Sequence, residues 1–99
     1  MDIRIAVNGQ NLEVIGIQKY HDKKPLDCWM QDGRAVYAKK VGMTRSMAQT
    51  QEFAIADLKM EKATVGDDGI CTVPCTIIHL PEDGEFLAET IKGKVHARA

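Results

Sequence analysis

The chain holds a single serine, Ser46, and no G-x-S-x-G turn to present it, so the usual device for a hydroxyl nucleophile is missing. Neither common type of glycine-rich phosphate loop occurs, which excludes nucleotide hydrolysis by that route. No apolar run approaches the roughly 20 residues of a membrane-spanning helix, and no membrane contact is expected. Met1-Asp2-Ile3-Arg4 lacks the basic and long apolar regions of a secretory leader. The cysteines are few and odd in number, Cys28, Cys71 and Cys75, so disulfide pairing does not account for them and the expected location is a reducing one, the cytoplasm. Net charge is slight too, at -1, and the molecule as a whole has no field to draw it to nucleic acid or an acidic membrane. The charge is nevertheless uneven along the chain. The first 50 residues carry eight Lys/Arg against five Asp/Glu and the rest five against nine, a pattern that suits a local basic patch or self-association through opposite faces.

What is present reads as one folded domain over residues 1–99, with 44% apolar and 27% charged residues, an ordinary globular balance. Residues 2–7 alternate, with Ile3, Ile5 and Val7 on one side, and Asn8-Gly9 then supplies the two positive-φ positions of a type I′ hairpin turn. In the returning strand, Leu12 and Val14 fall on one parity and Ile15 and Ile17 on the other, with Gly16 as the candidate bulge. Asp32-Gly33 predicts a second hairpin, between 26–30 and 34–41. Over 43–60 a helix competes with a strand. The sorting of Phe53, Ile55, Leu58 and Met60 inward favours a short helical turn at 46–51 followed by a strand bulged near Ala56-Asp57. Residues 70–80 form a β-rich stretch in which Pro74 points to a sheet edge or a bulge. Pro81-Glu82-Asp83-Gly84 makes the next turn, and residues 85–95 return with Leu87, Ile91 and Val95 on one parity and Phe86 and Ala88 on the other. The expected fold is mainly β, an antiparallel meander of about six or seven strands forming a small barrel or sandwich, with at most one short helix within 44–62. The alternative is an α+β fold with that helix packed on an antiparallel sheet.

Cys71, Cys75 and His79 have zinc-ligand chemistry, but four residues of strand span about 13 Å, so side chains at these spacings cannot meet at one ion. They read as interior residues packing with Val73 and Ile77, and no metal or other cofactor is expected. The carboxylates of Asp67-Asp68 and of 82–85 lack the spacing of a calcium loop and read as turn residues.

The segment 19–45 is the most suggestive, because three of the five aromatic residues lie among its lysines and arginines. Basic residues that track phosphates, with rings on which bases stack, are the means by which small barrels bind single strands. Lys23, Lys24, Trp29, Tyr37, Lys39, Lys40 and Arg45 are therefore the candidate surface for nucleic acid or another partner. With no recognisable catalytic constellation, the expected role is a non-catalytic binding or regulatory module. A protein partner or self-association as a homodimer ranks first, single-stranded nucleic acid second and an enzyme of unrecognised type third.

Overall fold

Among residues 2–82 and 87–99, which the computed structural model describes, eight strands follow one another. They are β1 (Arg4–Val7), β2 (Gln10–Lys19), β3 (Leu26–Gln31), β4 (Arg34–Ala38), β5 (Thr50–Ala56), β6 (Thr64–Val65), β7 (Cys71–His79) and β8 (Glu89–Arg98). Both expected hairpins form on paired positive φ angles, 50° and 82° at Asn8 and Gly9 and 52° and 77° at Asp32 and Gly33. All pairings are antiparallel. β8 pairs with both β2 and β7, which closes the ring β2-β3-β4-β5-β7-β8 into a barrel. The fold is thus the mainly β, small-barrel alternative, with β1 and β6 added to it.

The two long strands make this addition possible. β2 keeps β8 along one edge and divides the other between β1, at Gln10 to Glu13, and β3, at Gly16 and Ile17. β7 divides its edge likewise between β6, at Cys71 and Thr72, and β5, at Thr76 to His79. Between those two partners sits Pro74, whose carbonyl accepts from the Lys59 amide at 2.9 Å. The residue lies in an interior strand, not at an edge or a bulge as expected. It is tolerated because its nitrogen faces the gap between β5 and β6, where no ladder bond is lost.

The register of β2 against β8 shifts between Val14 and Gly16, leaving Ile15 as the extra residue of a bulge. That shift resolves the conflict of parity, since Leu12, Val14 and Ile17 are all buried. They join Val73, Ile77 and Val95 in the core, with the rings of Tyr37 and Phe53 at a centroid distance of 5.7 Å. β8 contributes inward-facing Gly93, where an added Cβ would lie 2.5 Å from both the Gln18 carbonyl oxygen and Ile77 Cδ1. Two chains cross too closely there for any side chain.

Within 44–62 the helical content is slight. A single turn over 44–48 replaces the expected turn at 46–51, and a 3-10 turn spans Met60–Lys62. Asp57, at a φ of 52°, ends β5 instead of bulging it, and Leu58 and Met60 still pack on the core. Leu87, grouped by parity with Ile91 and Val95, is 85% exposed, because β8 begins two residues beyond it. Asp83 and Gly84 of the expected turn, and Phe86, lie outside the described residues. No described helix is long and apolar enough to cross a membrane.

Candidate anion-binding face

Two depressions meet on one side of the barrel. The smaller, of about 390 Å³, is lined by Lys19, Lys23, Lys24, Lys39 and Lys40, with Asp22, Leu26 and Val41. The larger, of about 480 Å³, is lined by Lys19, Lys59, Lys62, Lys92 and Lys94 over a floor that includes Pro74, Thr76 and Gly93. They share Lys19 and Asp22, and together they take in all nine lysines of the chain.

Each lysine is placed by local structure. Lys19 ends β2, Lys23 and Lys24 occupy the β2–β3 loop, and Lys39 and Lys40 follow β4. Lys59 and Lys62 bracket the 3-10 turn, which the bond from the Lys59 amide to Pro74 ties to β7. Lys92 and Lys94 point outward from β8 because Ile91, Gly93 and Val95 of the same strand point inward. The Tyr20 amide donates to the Lys92 carbonyl at 3.0 Å, joining the end of β2 to β8.

The charges on this face are not neutralised. Arg4, Arg34 and Arg45 pair with Asp2, Glu52 and Asp27, whereas among the described residues no lysine forms an ion pair. Asp22 is the one acidic residue among those lining the two depressions. A concave surface with a large excess of one sign of charge focuses the field and concentrates counterions, so the arrangement is suited to holding anions.

Of the candidate residues, Lys23, Lys24, Lys39 and Lys40 come together here, but the others do not. Arg45 forms a two-pronged bond to Asp27, at 2.8 and 2.9 Å, and its guanidinium lies 5.0 Å from the centre of the Trp29 ring. Trp29 Nε1 donates to Gln31 Oε1 at 3.3 Å, and the ring stands across β3–β4 from Val36. This clasp holds the loop after β4 to the outside of the barrel, with the arginine charge already matched. Tyr37 corrects the expectation of a surface ring. It is 1% exposed because its parity on β4 faces the core, and it cannot stack on a ligand.

The hydroxyl of Tyr37 lies 2.6 Å from His79 Nε2, and Lys19 Nζ lies 5.5 Å from the tyrosine ring centre. With Nε2 accepting from the hydroxyl, the proton of a neutral His79 sits on Nδ1, which faces Glu89 Oε1 at 4.0 Å. Burial lowers the His79 pKa below 6.5, and Lys19 and Lys39 act in the same direction against Glu89. Burial pushes the Tyr37 hydroxyl up to about 12 and the Cys28 thiol up to about 12, so both stay protonated at neutral pH. Cys75 rises for the same reason, to about 11. Cys71 and Cys75 are buried on the same side of β7 as Val73 and Ile77, as their spacing implied.

Lys19 and Tyr20 lie in the segment singled out on the sequence but outside its candidate residues, and Lys59, Lys62, Lys92 and Lys94 were missed altogether. The pattern Lys92-Gly93-Lys94 signals two lysines on one side of a strand, but their meeting with Lys19 depends on β2 pairing with β8, which no local pattern reveals. No family model matches the chain, nor does any curated protein or solved structure.

Proposed function

We propose that the domain is a non-catalytic binding module and that its lysine face takes a polyanionic partner. The observation that carries this reading is the gathering of every lysine around two joined depressions in a chain whose net charge is -1. Lysines scattered for solubility would be distributed over the surface and partly paired with the 14 acidic residues. A protein partner, ranked first on the sequence, becomes the second reading here, supported by the exposed Val41, Met43 and Met47, which would give an acidic partner apolar anchors. Self-association belongs to the same reading, through the free outer edges of β1 and β6.

The test is fluorescence anisotropy with labelled heparin across a range of salt. Binding is expected to weaken linearly in logarithmic plots, because each neutralised anionic group releases condensed counterions. Reversing Lys23, Lys24, Lys59 and Lys62 to glutamate should lower the affinity at least about a hundredfold at low salt. Reversing Arg4, Arg34 and Arg98 should cost less than a tenth as much for each charge reversed. Equal losses per charge in the two variants would reduce the effect to bulk charge and defeat the proposal.

A further inference from the structure

Resting on that reading and narrowing it, we propose that the polyanion is single-stranded nucleic acid and that Tyr20 is the platform on which one of its bases stacks. Tyr20 is 78% exposed and lines the larger depression. Its neighbours in sequence include Lys19 and Asp22, the residues common to both depressions, so the larger depression carries the ring beside residues that line the smaller one as well.

An exposed tyrosine alone carries no meaning, but the backbone that presents this ring is held in place. Its amide is bound to the Lys92 carbonyl at 3.0 Å, and the turn beyond it is tightened by the bond from the Asp22 amide to the Lys19 carbonyl at 2.9 Å. The Gln18 side-chain amide reaches over the same turn to the Asp22 carbonyl at 3.0 Å. The His21 ring meets Tyr20 edge-on, with centroids 5.5 Å apart and planes at 83°. The backbone of the turn therefore has little conformational freedom left to lose when a flat ligand covers the ring.

The chemistry of the surroundings selects the ligand. An unpartnered base brings a face that can lie on the ring and a backbone that the lysines on either side can neutralise. A duplex has its bases already stacked on one another and offers the tyrosine nothing. Heparin has charge but no aromatic face. A free nucleotide would meet the charge of one depression and leave the other unfilled. A strand running across both uses all of the features at once.

Three probes separate this proposal from the one it rests on. They are an oligothymidylate of about 15 nucleotides, a duplex of matching length and heparin, each titrated against the wild type, Tyr20→Ala and Tyr20→Trp. The wild type should bind the single strand at least about tenfold more tightly than the duplex at equal salt. Tyr20→Ala should weaken single-strand binding about tenfold while leaving the heparin affinity and the salt slope unchanged, and Tyr20→Trp should restore it. Thermal denaturation of the variants is expected to match the wild type, since the ring is outside the core. Equal binding of strand and duplex, or a Tyr20→Ala loss as large for heparin as for the strand, would overturn the base-stacking role and leave the polyanion reading standing. Failure of the wild type to bind any of the three at low salt would overturn both.

Discussion

The Tyr37 hydroxyl is a polar end on an otherwise apolar interior, and its bond of 2.6 Å to His79 satisfies both groups. Removing it as Tyr37→Phe keeps the ring packed on Phe53 but strands the imidazole nitrogen. The expected cost is about 0.5–1.5 kcal/mol for the bond, with somewhat more if the nitrogen stays dry, measured as a shift in the urea midpoint at constant slope. A loss several times larger would mean that the ring had moved. The direction of this side chain was not legible because both faces of β4 are apolar, with Ala35 and Tyr37 on one and Val36 and Ala38 on the other. Alternation gives a face its identity only where the opposite face is polar. Trp29 stands apart from the lysine face for a different reason. Its partner Arg45 comes from 16 residues further on, folded back by Asp27, and that contact belongs to a loop and not to any pattern.

At the scale of the strands, Gly93 has the least room for a side chain among the described glycines. Gly93→Ala would place a methyl group 2.5 Å from the Gln18 carbonyl oxygen and from Ile77 Cδ1. The expected loss is about 3 kcal/mol or more, at the upper end for overpacking, because one of the two obstacles is backbone. Adding Ile77→Val removes the other obstacle and should not restore stability, which denaturant unfolding of the double variant checks. The hairpins around Asn8-Gly9 and Asp32-Gly33 were legible since the turn chemistry acts between adjacent residues. The inward side of β7, carrying Cys71, Val73, Cys75 and Ile77, was legible from its alternation. Two-residue β6, the divided edges of β2 and β7, and the comfortable place of Pro74 were not. Each follows from which strand lies alongside another, a long-range choice that propensity does not encode.

For the whole molecule, the buried titratable groups set a window of pH. His79 and His96 are held below 6.5 chiefly by burial, with Lys94 acting in the same direction and Asp68 opposing it at His96. The unfolded chain therefore binds these protons first, and their contribution to stability is full above 6.5 and falls as the pH drops below it. On the alkaline side the thiols of Cys28 and Cys75, ordinarily at 9.0, are raised to about 12 and about 11. Their contribution is full below 9.0 and is lost as the pH climbs toward those values, since the unfolded thiols ionise first. Urea midpoints across pH should peak between about 6.5 and 9 and decline on both sides, with Cys28→Ala flattening the alkaline limb. A monotonic profile would contradict the burial of these groups. The uneven charge of the sequence hinted at the lysine face, but only five of its nine lysines lie in the basic first part of the chain. The other four arrive with the 3-10 turn and β8. Lys19 pairs in register with Gly93 and Gln18 with Lys94 where the first long strand meets the last, so the barrel closes along a seam that brings like charges together. Loop closure between partners so distant in sequence is entropically costly, and repulsion across the seam adds to it. An open barrel carries the same nine lysines and has no complete face, so the binding surface is itself a reporter of closure.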